Sequence, residues 1–169
     1  MLSGLSSSSD LSVDQLLEKF SSGSLRQKRS LIPAVEKAAD QLAAMGASAL
    51  ASFDREGDDW AAGWILQILN RHQPAALSPL LDASGGWFST GSESDLDYST
   101  LQQALLEERF EEADRLTSAF LRQLAGEQAE RRGYVYFSEV LSIRGLDLVT
   151  IDRLWIAYSQ GRFGFTVQA

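Results

Sequence analysis

The chain has 169 residues, 44% of them hydrophobic, which is enough for the packed core of one domain of ordinary size or of two small ones. Its formal net charge of -8 opposes sequence-independent binding to phosphate backbones and docking on an anionic membrane surface. The absence of cysteine excludes disulfides, thiolate nucleophiles and thiolate metal sites.

The opening MLSGLSSSSD lacks the basic segment and continuous apolar run of a secretory signal. It reads as a disordered lead-in over residues 1–9. No apolar run reaches the roughly 18–20 residues of a membrane span, so the chain is expected to be soluble. In SVDQLLEKF, Ser12 and Gln15 have capping-box spacing, and Val13, Leu16, Leu17 and Phe20 recur at helical spacing. Ser24 and Gln27 repeat the box. Pro33 suits the first turn of a new helix, LIPAVEKAADQLAAM, which Gly46 closes. ASALASFDREG is a further short helix. DDWAAGWILQILNRHQ then carries Trp60, Trp64, Ile65, Ile68 and Leu69 on one broad face. Residues 10–81 are thus expected to form a small helical bundle.

Gly, Ser, Thr and Asp dominate residues 82–96, the expected connection between two parts of the chain. Trp87 and Phe88 inside it are expected to pin it to a flanking part. Beyond it, Asp97 or Ser99 can cap a helix whose apolar face is Leu101, Leu105 and Leu106. Phe110, Ala113, Leu116, Phe120 and Leu124 predict a second helix, closed by Gly126. Tyr134, Tyr136 and Phe137 look extended. Asp147 is expected to cap LVTIDRLWIAYSQ, in which Leu148, Ile151, Leu154, Trp155 and Tyr158 form one stripe. After Gly161, the alternation of Phe163, Phe165 and Val167 with Gly164, Thr166 and Gln168 predicts a strand or an extended flap.

Enzyme constellations are absent. His72 is the one histidine, at a helix end, and no GxSxG elbow, zinc-ligand set or phosphate loop exists. The acidic run EERFEEADR reads first as a solvated helix face, with Glu111 and Arg115 as an i,i+4 pair, and second as a docking surface for a basic partner. The aromatic side chains stand out. Tyr134, Tyr136, Phe137, Trp155, Phe163 and Phe165 crowd into a short stretch beside a glycine-hinged segment, which would suit a large, flat apolar ligand.

LDYSTLQQALLEERFEEADRLTSAFLRQLAG, then YFSEV, then LDLVTIDRLWIAYSQGRFGFTVQ, resembles the core of the genomes-uncoupled tetrapyrrole-binding proteins, accessory regulators of magnesium chelatase in oxygenic phototrophs. The resemblance covers about residues 96–168. The N-terminal half matches only in kind, as the divergent helical bundle of cyanobacterial members. The resemblance implies an all-α fold, with a helical tetrapyrrole-binding core over 97–169 following the N-terminal bundle. It implies a non-catalytic regulator that holds protoporphyrin IX or Mg-protoporphyrin IX and stimulates magnesium chelatase in chlorophyll biosynthesis. No cofactor of its own, no nucleic-acid partner and at most a partner-borne membrane association are expected, in a cyanobacterial cytosol or chloroplast-like compartment.

Carried over by motif, Phe137 and Val140 of YFSEV fall at ligand-lining positions. The helical stripe and the flap add Ile143, Trp155 and Phe163 to the expected tetrapyrrole site. His72 lies outside the core, so a bound magnesium is not expected to take its imidazole. Family members continue past FGF-x-VQ. The chain is therefore expected to be a fragment or a short member, with a weakened porphyrin site. The alternative reading is a helical protein–protein interaction scaffold without ligand.

Overall fold

The structure, a computed structural model, describes residues 11–169. The lead-in expected over 1–9 lies outside the described residues. Those described form helices joined by turns, with no β-strand among them. Helices α1 (Val13–Ser22) and α2 (Leu25–Lys37) each begin with the capping box read from sequence, Ser12 with Gln15 and Ser24 with Gln27.

Pro33 sits inside α2 and does not start a new helix. The cap at Ser24 and the burial of Leu31 and Val35, one on each side of the proline, carry the helix past the missing N–H. The break falls instead at Ala38. Helix α3 (Ala39–Met45) follows, and Gly46 ends it with positive φ. A 3-10 turn over Gly46–Leu50 leads toward α4 (Trp60–His72), which is followed by the single turn α5 (Pro74–Leu77) and a second 3-10 turn, Ser78–Leu80.

Helix α4 is the axis of the molecule. Every residue from Trp60 to Leu69 is buried, and all but Gln67 among them lack a polar side chain apart from the indole N–H groups, as suits a central helix. It crosses α10 (Gly145–Tyr158) at Gly63, where a Cβ would stand 1.8 Å from the Ala157 carbonyl oxygen. Only glycine allows that approach. Four residues on, the buried Gln67 amide donates to the carbonyls of Leu105 (3.1 Å) and Tyr158 (2.8 Å). It thereby satisfies C-terminal carbonyls of two other helices, α6 (Ser99–Leu106) and α10. Through these contacts, apolar residues of both halves share one core.

The glycine- and serine-rich stretch 82–96 is a strap fastened at several points. Trp87 and Phe88 are buried. Gln102 receives the Phe88 N–H (2.9 Å) and donates to the Phe88 carbonyl (3.1 Å). Farther along, Asp147 does not cap its helix, because α10 begins at Gly145 and carries Asp147 within its first turn. The fully buried carboxylate instead accepts from the hydroxyls of Ser92, Ser94 (3.1 Å) and Tyr98 (2.8 Å) and from the Glu93 N–H (3.2 Å). Burial pushes its pKa up, but these donors outweigh burial and hold it below the ordinary carboxylate value. Tyr98, desolvated and bonded to that carboxylate, has its own pKa pushed far up.

Helix α7 (Phe110–Ala125) closes at Gly126 as read from sequence, and α8 (Glu127–Arg132) follows. Of the stretches that read as extended, residues 134–136 lie outside any helix, with Tyr136 extended, and Phe137 alone enters the single turn α9 (Phe137–Val140). The stretch 163–167 instead turns into the single helical turn α11 (Phe165–Gln168).

Candidate ligand-binding site

Two concavities open on the C-terminal half, on either side of α11. The first, about 490 Å³, is walled by Leu121 of α7, Val135, Val140 and Ile143 of the loop around α9, and Leu148 and Val149 of α10. Phe165 of α11 closes it. The second, about 420 Å³, lies between α7 and α10, walled by Phe110, Trp155, Phe163 and the same Phe165. Glu111 and Asp114 also line it.

Phe165 is placed by a latch. The Asp152 carboxylate of α10 accepts from the N–H (3.2 Å) and hydroxyl (2.8 Å) of Thr166. It caps the first turn of α11 from a neighbouring helix, supplying an acceptor that Gly164 cannot. This explains why the alternating segment turns helical from Phe165 on: an external acceptor for a first-turn N–H outweighs the period-two pattern. Gly164 (φ 144°) is required at the bend, since a Cβ there would meet Asp152 Oδ1 at 2.7 Å. Just before the bend, the Phe163 N–H donates to the Ser159 hydroxyl (2.9 Å).

The opposite wall has its own clamp. The Arg132 guanidinium lies 3.7 Å from the ring centre of Tyr136 and 4.7 Å from that of Tyr134. It also donates to Glu139 (2.7 Å). The Tyr136 N–H donates to the same carboxylate (2.7 Å), so the loop between Gly133 and α9 is held by a charge and two rings. That loop carries Val135, and α9 after it carries Val140, to the first concavity.

The residues expected from sequence divide among three places. Val140 and Ile143 stand together on the wall of the first concavity. Trp155 and Phe163 stand in the second, edge to face at 6.2 Å. Phe137 lines neither and is 89% exposed, one turn before Val140 on α9. Sequence reasoning left Phe165, Val135, Leu121 and Val149 out of the site. Phe165 had been singled out as part of the aromatic cluster, and its role as a shared wall depends on the Asp152 latch. Leu121 borders the apolar stripe read for α7, three residues before Leu124, but that stripe did not include it.

In the acidic run, Arg109 rather than Arg115 takes the partners, pairing with Glu107 (2.7 Å) and Glu112. His72 lies far along the chain from the site, 3.3 Å from Glu36. Among the described residues, no group of three or more His, Cys, Asp or Glu side chains is placed to hold a metal ion. No described helix is long and apolar enough to cross a membrane.

Both concavities fall within the stretch that matches a family model described as GUN4-like, over residues 91–169. Over those residues the chain is similar to the GUN4-like family. The chain is also similar to curated proteins. The chain is 42% identical over 100 residues to a Ycf53-like protein of Synechocystis sp., covering 59% of this chain and 39% of that one. It is 48% identical over 71 residues to the chloroplastic tetrapyrrole-binding protein of Arabidopsis thaliana, covering 42% of this chain and 27% of that one. Among solved structures, GUN4 from Chlamydomonas reinhardtii is 41% identical, covering 47% of this chain and 57% of that one, with a TM-score of 0.47. The chain thus spans well under half the length of these two curated relatives.

Proposed function

We propose that this protein binds a tetrapyrrole, protoporphyrin IX or its magnesium chelate, in the first concavity. In this reading it acts as a non-catalytic regulator that stimulates magnesium chelatase in chlorophyll biosynthesis. The observation that carries the reading is the wall of that concavity. Apolar side chains make it up almost entirely, and its one ionisable lining group, Asp152, is already bonded to Thr166. A flat, apolar macrocycle meets such a wall without leaving a buried charge unpaired. The volume lies within the range of about 300–1,000 Å³ usual for small-molecule sites.

Val140, Ile143 and Phe165 contact the macrocycle in this reading, and Phe137 folds over its edge from the same turn of α9. Trp155 and Phe163 support Phe165 from behind. The name of the Arabidopsis thaliana relative supports the ligand class. The absence of a nucleophile–histidine pairing in the sequence is consistent with a binding role. No histidine lines the concavity, so its walls would offer no imidazole to a magnesium chelate.

The test is titration of the chain with deuteroporphyrin, read by the Soret band and by tryptophan quenching. It is followed by a magnesium chelatase assay with and without the saturated protein. Saturable one-to-one binding and faster magnesium insertion are expected. Binding without any effect on the chelatase would limit the protein to a tetrapyrrole carrier. Absence of binding would favour the scaffold reading, for which the exposed Phe137 and Leu141 (89% and 87%) are the natural contact points.

A further inference from the structure

The second concavity has the wrong chemistry for the ligand proposed for the first. Tetrapyrroles of this kind carry carboxylate side chains, and two carboxylates, Glu111 and Asp114, line this chamber. Neither is engaged in an ion pair among the described residues: Arg109, two residues before Glu111, is held by Glu107 and Glu112, and Arg115, beside Asp114 on α7, pairs with neither. No lysine or arginine lines the chamber.

The remaining walls are aromatic. Phe110 stacks near Trp155 with ring centres 6.3 Å apart and planes 29° apart. Phe163 stands edge-on to Trp155 at 85°. The Trp155 indole N–H is already spent on the Thr117 hydroxyl (2.8 Å), so the indole is fixed in place and offers its π face rather than a donor. Aromatic faces carry negative quadrupole charge and attract cations, by about 0.5–1 kcal/mol when exposed and about 2 kcal/mol or more when desolvated. Two carboxylates at i and i+3 on α7 add Coulombic attraction on one side of the same chamber.

We propose that this chamber is a cation cage that receives an arginine side chain of a partner polypeptide. Arginine fits better than lysine on three counts. Its planar guanidinium stacks on aromatic faces, it is less strongly hydrated than an ammonium, and its fork of donors can reach both carboxylates at once. The proposal is independent of tetrapyrrole binding, which uses the other face of Phe165.

The experiment follows the Trp155 indole N–H resonance, assigned with Trp155→Phe, in ¹⁵N-labelled full-length chain. The probe is acetyl-Gly-Arg-Gly-amide, compared with the same peptide carrying neutral citrulline. The arginine peptide is expected to shift the resonance saturably, and the citrulline peptide at least tenfold more weakly. Glu111→Gln/Asp114→Asn is expected to weaken the arginine peptide at least tenfold. The charge-matched control Asp14→Asn/Glu18→Gln on α1 should stay within twofold. Equal weakening by the control would overturn the proposal in favour of general attraction to an acidic protein. Equal response to citrulline, or no shift at all, would overturn it outright. Tighter binding of tetramethylammonium than of the arginine peptide would overturn the assignment to arginine.

Discussion

Asp147 and Val149 are two residues apart on α10, and they meet opposite conditions. Asp147 is fully buried, and four donors converge on its carboxylate. Val149 is apolar and half exposed, on a wall shared with Val140. A chain that partners a buried charge so thoroughly while leaving neighbouring apolar groups in water has separated two tasks. One side of α10 holds the strap and the core. The other keeps apolar surface available for something that is not part of the fold.

The fastened side should break first and furthest. Gly63→Ala places a methyl group where the α4–α10 crossing leaves no room, 1.8 Å from the Ala157 oxygen. A loss of about 3 kcal/mol in unfolding free energy, at the upper end for overpacking, is expected from urea unfolding. Asp147→Asn should cost about 2 kcal/mol, because one acceptor becomes an amide facing donors.

The Asp147 change also carries a pH signature. The folded pKa is depressed, so the stabilisation is present above the unfolded carboxylate value of about 3.9 and is lost as pH falls through the lower folded value. Wild type should therefore lose stability below about pH 4 more steeply than Asp147→Asn. Asp82 and Asp97, also depressed, are common to both proteins and drop out of the comparison. Parallel acid slopes would contradict the role given to Asp147.

The open side should tolerate change. Phe137→Ser and Leu141→Ser remove exposed side chains and are expected to move stability by no more than about 0.5 kcal/mol. A larger loss by thermal unfolding would mean that these residues belong to the fold rather than to a ligand surface.

The fastened side was only partly legible in the sequence, and the reason is distance along the chain. The capping boxes at Ser12 and Ser24, the closures at Gly46 and Gly126, and the burial of Trp87 and Phe88 are local or compositional signals, and the residues state them directly. The cluster on Asp147 joins side chains some fifty positions apart, and Gly63 matters because of Ala157. No period or motif encodes such a meeting. The helical turn at Phe165 was hidden for the same reason, since its acceptor lies on another helix.

On the open side, the YFSEV and GRFGF segments border the two concavities. They did not reveal that Phe165 divides the aromatic residues between an apolar chamber and an acidic one. That division is a matter of side-chain geometry, which sequence spacing does not resolve.

The central claim is that the apolar chamber, and not the acidic one, takes the tetrapyrrole. The most direct test is a Soret titration of deuteroporphyrin against wild type, Val140→Asp and Glu111→Gln/Asp114→Asn in parallel. Val140 is 41% exposed, so an aspartate there leaves the fold intact while placing a charge on the apolar wall. The account predicts that Val140→Asp weakens binding at least tenfold, about 1.4 kcal/mol, and that the double variant binds as wild type does. Unchanged binding by Val140→Asp, with altered binding by Glu111→Gln/Asp114→Asn, would contradict it.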